Sequence, residues 1–303
     1  MNDEQQIIQQ IAELKRELDA VIVAHNYQRP EVQDIADFVG DSLELARRCA
    51  AVDAKTIVFC GVHFMAETAA ILNPERKVLL TQLEAGCPMA DMIDADRVRE
   101  WQQKYPAAKI VCYVNTLAEV KAESYICCTS ANAIEVVNSV AADEIIFVPD
   151  QNLGQYVAAH TDKKVYPYPG YCYVHHNIRA TQIDTAREQH PGAEVVVHPE
   201  CRPEVTANAD AVLSTSQMLR YVKQSPKREF IIGTEIGILH RMHRENPDKS
   251  FYIVSAASVC QDMKRTTLET VRETMASGSN IVTVPEPIRV KAQQAIERML
   301  GIG

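Results

Sequence analysis

Three αβα sandwich units with parallel sheets, related by a pseudo-threefold axis around a central active site, are the fold class this sequence predicts. Two observations carry the prediction: a pattern that recurs three times at about 85 residues, and apolar runs that are continuous rather than alternating. The strands VIVAHNYQ from Val21, KIVCYVNT from Lys109 and EVVVHPEC from Glu194 align His25, Tyr113 and His198 at intervals of 88 and 85 residues. A fixed period of this kind marks a repeat architecture. Continuous β-branched runs mark strands covered on both faces. A length of 303 residues suits two or three domains at up to ~150 residues each.

The chain opens on MNDEQQIIQQIAELKRELDA, a charged amphipathic helix pattern over about residues 3–19 that lacks the apolar core of an export signal. After the first strand, DIADFVGDSLELARRCAAV reads as helix. TIVFCGVHFMAETA passes from strand through a small-residue turn into helix; YICCTSANAIEVV and AVLSTSQMLRYV do the same, and Ser130 and Ser216 align 86 residues apart. KVLLTQLEAGCPMAD, EIIFVPDQNLGQYVA and EFIIGTEIGILHRM complete the units, each of β-α-β-α-β character. The predicted boundaries are 1–106 for the first unit with its N-terminal helix, 107–191 for the second and 192–280 for the third. Residues 281–303 form a C-terminal helix packing back on the first unit, beside the N-terminal helix. The alternative is one large doubly wound sheet with accidental similarity.

Composition excludes several classes. With 31 Lys+Arg against 40 Asp+Glu the net charge is −9, and no basic stripe offsets it, which argues against nucleic-acid binding. No window approaches the ~18 uninterrupted apolar residues of a membrane span. The expectation is therefore a cytoplasmic, soluble protein, still able to bind anions through helix N-termini. Nine cysteines cannot all pair within the chain, and without an export signal they should be reduced thiols.

In parallel α/β units ligands sit beyond the carboxyl ends of the strands. There the repeat places His25, Asn26 and Tyr27; Tyr113, Val114 and Asn115; and His198, Pro199 and Glu200, all converging on one cavity. Cys87 in EAGCPMAD, Cys172 in PGYCYVHH and Cys260 in ASVCQDMK recur at intervals of 85 and 88 residues. Three thiolates on equivalent loops suit a metal centre better than a disulfide. The readings open at this point are a [4Fe–4S] cluster with one iron free for substrate, a zinc with three thiolates and a water, and three buried cysteines that merely match the repeat. Cys49, Cys60, Cys112, Cys127 and Cys128 read as small hydrophobes, and Cys201, beside Glu200, is ambiguous.

The string AHNYQRPEVQDIADFVGDSLELAR, with GCPMAD, YVNT, CTSANA, GYCYVHH, HPEC, STSQM, GTEIGILH and VCQDMK, resembles the quinolinate synthase family from about Val21 to the last helix. The resemblance implies condensation of iminoaspartate with dihydroxyacetone phosphate to quinolinate (pyridine-2,3-dicarboxylate), phosphate and water, in NAD biosynthesis. It also implies three pseudo-symmetric αβα domains and an oxygen-sensitive [4Fe–4S] cluster on Cys87, Cys172 and Cys260. An aspartate oxidase supplies iminoaspartate in the family. Some members carry a C-x-x-C-x-x-C run at the third cysteine; VCQDMK has only Cys260, as in a compact branch.

By resemblance His25, Ser42, Tyr113, Asn115, Ser130, His198, Glu200 and Thr215 form the substrate pocket, with Val114 and Pro199 contributing backbone. Ser42, Ser130 and Thr215 each read as opening a helix, where hydroxyls and N–H groups hold carboxylates and phosphate. The chemistry moves several protons, so Glu200, near Tyr27, is expected to be the principal base, with His198 and His25 orienting or protonating. Tyr113 and Asn115 are expected to position substrate, and His175 to bond a cluster sulfur or the triose. His160, His190, His240 and His243 read as ordinary. Two other classes fit less of the pattern: an iron–sulfur hydro-lyase for another hydroxy acid, and a non-catalytic small-molecule sensor or carrier.

Overall fold

A computed structural model describes residues 3–302, so residues 1, 2 and 303 of the predicted boundaries lie outside the described residues. Helix α1 (Asp3–Glu17) precedes the first unit, which runs β1 (Ala20–His25), α2 (Pro30–Ile35), β2 (Phe38–Gly40), α3 (Ser42–Ala51), β3 (Thr56–Cys60), α4 (His63–Leu72) and β4 (Lys77–Leu80). Helix α5 (Ala95–Lys104) leads into β5 (Lys109–Tyr113), α6 (Ala118–Ala122), β6 (Ile126–Cys128), α7 (Ala133–Ser139), β7 (Glu144–Val148), α8 (Gln151–Ala158) and β8 (Lys164–Pro167). Helices α9 (Tyr173–His176) and α10 (Ala180–Gln189) lead into the third unit. That unit is β9 (Glu194–Val197), α11 (Pro203–Thr206), β10 (Ala211–Val212), α12 (Thr215–Gln224), β11 (Glu229–Gly233), α13 (Ile238–Glu245) and β12 (Ser250–Ile253). The chain ends in α14 (Leu268–Ser277) and α15 (Glu286–Leu300).

The three sheets repeat one topology: β2-β1-β3-β4, β6-β5-β7-β8 and β10-β9-β11-β12, all parallel. Every residue of β1 and β3 is buried, as continuous apolar strands between helical layers require. Strand order reverses between the first and third strand of each unit, which opens a crevice at their carboxyl ends.

Each unit therefore has four strands where the sequence predicts three. The helix read over DIADFVGDSLELARRCAAV is interrupted by β2, because Asp41 starts a new helix: its side chain accepts the Leu43 and Glu44 N–H groups in a capping box. TIVFC is thus the third strand of its unit, one place out of step with YICC and AVL, which are second strands.

The linking helices close a ring. Val98 of α5 joins the core of the second unit, and Ile183 and Ala186 of α10 pack with Val195, Val197 and Ile231 of the third. Leu268, Val271 and Met275 of α14 return to Ala20, Ile22, Val58 and Leu79 of the first. So the last helix of the predicted third unit is seated on the first, where α1 also packs against it. The C-terminal helix is a second correction. α15 lies mainly on α6 and β6 of the second unit, with a smaller edge on α4 of the first. With α6 only five residues long, that face of the second sheet needs cover. The stripe Ala292, Ala295, Ile296 and Met299 supplies it at helical spacing.

Candidate active site

The carboxyl ends of the strands converge on one cavity. His25 ends β1 and Tyr27 follows it, Tyr113 ends β5 and Asn115 follows it, His198 and Glu200 follow β9, and all six line it. Ser42 and Thr215 are the first residues of α3 and α12 and line it as well. Ser130 also lines it, from the turn before α7 rather than from a helix start. The repeat interval aligns Ser130 with Ser216, but Ser216 turns away and donates to Asp41, leaving Thr215 on the wall. His175 and the three periodic cysteines complete the set.

Val114 and Pro199 are not on this wall. The Val114 N–H is taken by the Cys128 carbonyl at 2.9 Å, and proline has none to offer. His160, His190, His240 and His243 lie away from the cavity. Cys201 is buried with its thiol toward the Gly233 carbonyl at 3.6 Å, on the sheet side.

A hydrogen-bonded chain crosses the floor of the cavity. Glu200, 2% exposed, accepts from His175 Nδ1 at 2.7 Å and from the Tyr113 hydroxyl. His175 Nε2 meets Thr234 Oγ1 at 2.8 Å, and Thr234 meets the Tyr27 hydroxyl at 2.6 Å. An ionised Glu200 fixes the order of donors: Nδ1–H to the carboxylate, Thr234 O–H to Nε2, Tyr27 O–H to Thr234. Tyr27 thus reaches Glu200 through two intermediaries rather than directly. Sequence reasoning missed Thr234, because the T of GTEIG looks like an ordinary turn residue until its strand is placed beside β9.

Burial governs the electrostatics. It would raise the Glu200 carboxyl, but His175, His198 and the hydrogen bonds outweigh it and hold the group down at about 2. Burial pushes His25 down to about 4 and His198 down to about 3, so both imidazoles are neutral near pH 7. Burial also raises Tyr27 and Tyr113 well above the usual phenol range. Among the described residues lining the cavity none is Lys or Arg. Asn115 Oδ1 is buried without a partner, an acceptor left for a ligand.

The three cysteine loops share a local design. Each sulfur faces the backbone N–H three residues on, at Ala90, His175 and Met263, as the cysteine begins a short helical turn. Such N–H groups favour the thiolate. Burial opposes it and raises all three thiols, Cys87 to about 12, and negative charge on one raises its neighbours. Thiols so placed become thiolates on binding metal. Among the described residues, the one tight group of potential ligands is Cys172, His175 and Glu200, within 4.8 Å of one another. The three sulfurs are not so close, whereas one tetrahedral ion with bonds of ~2.3 Å would need them so. One sulfur comes from the loop after the fourth strand of each unit.

Comparison with known proteins gives one answer. A family model described as Quinolinate synthetase A protein matches residues 9–301. A quinolinate synthase of Dehalococcoides mccartyi strain 195 is 57% identical over 98% of this chain and 98% of its own length. One from Methanoregula boonei is 56% identical over the whole of both chains. Another, from Alkaliphilus metalliredigens, is 50% identical over 99% of each. A solved reductase structure from Plasmodium falciparum covers 86% of this chain and 81% of its own, but at 12% identity and a TM-score of 0.31.

Proposed function

The chain belongs to the quinolinate synthase family, and we propose that it condenses iminoaspartate with dihydroxyacetone phosphate to quinolinate, phosphate and water in the cytoplasm. The observation that carries this reading is the cavity itself, where three periodic cysteines face a sealed chain of proton-transfer groups. Cys87, Cys172 and Cys260 would hold a [4Fe–4S] cluster. When bound, that group supplies an iron open to a substrate oxygen as Lewis acid.

The protein's own residues then account for binding and proton movement. Two carboxylates and a phosphate enter a cavity without side-chain cations. Their negative charge is met by the Ser42, Ser130 and Thr215 hydroxyls, the N-termini of α3 and α12, and imidazole N–H groups. Bound anions raise the His25 and His198 pKa values and convert these neutral groups into acids where the leaving oxygens sit. Asn115 and Tyr113 orient the substrate.

Glu200 acts through its neighbours, as the buried anion that makes His175 the group that receives the proton. When Tyr27 takes a proton from substrate, its own passes to Thr234, the Thr234 proton passes to His175 Nε2, and Glu200 stabilises the resulting imidazolium. Running the chain backwards returns a proton to substrate, as tautomerisation requires.

Iminoaspartate comes from oxidation of aspartate, and an aspartate oxidase is the partner that would deliver it. The test is anaerobic incubation of iron-replete protein with iminoaspartate and dihydroxyacetone phosphate, following quinolinate by chromatography. Quinolinate formed only when both substrates are present supports the reading; turnover of a different hydroxy acid, or none, opposes it.

A further inference from the structure

The repeat that places the cysteines also places two acids against their loops, Glu235 on the cavity lining and Asp150 outside it. Two residues beyond the last residue of β3, β7 and β11 stand Val62, Asp150 and Glu235. Both acids are fully buried at 0% exposure, a position that carboxylates take only when well bonded. Asp150 uses one oxygen on the Leu153 N–H at 2.7 Å, capping α8, and the other on the Cys172 N–H at 3.0 Å. Glu235 uses one oxygen on the Gly237 N–H at 2.7 Å and the other on the Cys260 N–H at 3.1 Å, with Lys264 Nζ beside it at 3.0 Å. Each carboxyl therefore ties the chain leaving its third strand to the backbone of a cysteine 22 or 25 residues further on.

Other bonds tighten the same loops. The Gln151 N–H reaches the Gly170 carbonyl at 2.8 Å, and the Tyr173 hydroxyl accepts the Gln261 N–H at 2.9 Å, joining one cysteine loop to the next. Gly237 lies so close to Tyr27 that an added Cβ would stand 2.8 Å from its carbonyl carbon, so the Glu235 turn has no slack. In the first unit Val62 occupies the equivalent place and provides no such tie to Cys87.

We propose that Asp150 and Glu235 are positioning residues that hold the Cys172 and Cys260 backbones in place for the cluster, a role the first unit does without. This rests on reading Cys87, Cys172 and Cys260 as cluster ligands. Outer partners of metal ligands typically change metal retention by about 10- to 100-fold.

The test is anaerobic release of iron to a chelator from loaded protein, followed at the cluster absorbance, alongside amide hydrogen exchange of the cluster-free protein. Asp150→Ala and Glu235→Ala are expected to release iron at least about tenfold faster than wild type, with faster exchange at Cys172 and Cys260 respectively. Asp210→Ala removes a carboxylate bonded to the Val195 N–H at the amino end of β9, the end away from the cavity, and is expected to release iron at the wild-type rate. Should the alanine variants not fold, Asp150→Asn and Glu235→Gln keep the volume and one acceptor oxygen, and the same comparison applies. Release at the wild-type rate, with the cysteine amides demonstrably freed, would overturn the inference alone. A wild-type protein that takes up no cluster would overturn the reading beneath it.

Discussion

Glu200 sits between two donors in a place sealed from water, and its value to the reaction lies in what it does to them. With His175 and Tyr113 both bonded to it, the carboxylate keeps His175 Nε2 free to accept from Thr234. Glu200→Gln should leave the fold intact and lower kcat by ~10²–10⁴. Thr234→Val removes only the bridging hydroxyl and should lower kcat more than it changes KM, with Thr234→Ser restoring most of the loss. Equal activity in the valine variant would remove Thr234 from the relay. The histidines make a pH prediction. Between 6.5 and about 4 for His25, or about 3 for His198, the unfolded chain binds protons that the native chain excludes. Stability therefore falls as pH drops below 6.5 and levels off below those lower values. Glu200 acts in the same direction, between 4.5 and about 2. Thermal melts of cluster-free protein should show Tm falling from pH 7 to pH 5, and His198→Gln should flatten that slope. At this scale the strand-end residues were legible from the repeat alone, since three aligned strands must point their next side chains the same way. Thr234 was not legible, because its role depends on which strand lies beside it.

At the scale of elements, hydrophobic periodicity identified most helices and central strands, but it does not say which sheet a helix will cover. Edge strands of three or four residues such as β2, β8 and β12 are too short to stand out from the segments around them. The stripe on α14 reads equally well against any sheet, and only closure of the ring sends it to the first unit. Met275→Ala should therefore destabilise by ~2–5 kcal/mol and speed amide exchange in β3 and β4 while leaving β9 and β11 protected. Ile296→Ala on α15 should instead loosen β6 and α6. Exchange that rises in the third unit on Met275→Ala would contradict the ring.

The whole molecule brings the units together by short polar ties across every boundary. The Ala118 N–H reaches Glu67 at 2.9 Å between the first and second, and Asn152 reaches the Glu200 carbonyl at 3.0 Å between the second and third. Ser216 reaches Asp41 between the third and first. No unit holds the site alone: one cysteine and one group of strand-end side chains come from each. That convergence was legible in the sequence because the cysteine intervals match the strand intervals. What was not legible is how the loops are held, because the buried acids bonded to two of them lie far from their cysteines along the chain. The most direct test of the account is iron and acid-labile sulfide per chain in anaerobically purified, iron-replete protein, beside Cys87→Ala, Cys172→Ala and Cys260→Ala. The account predicts about four of each in the wild type, as a [4Fe–4S] cluster contains, and their loss in all three variants. Zinc or no metal in the wild type, or a full complement in any one variant, would contradict it.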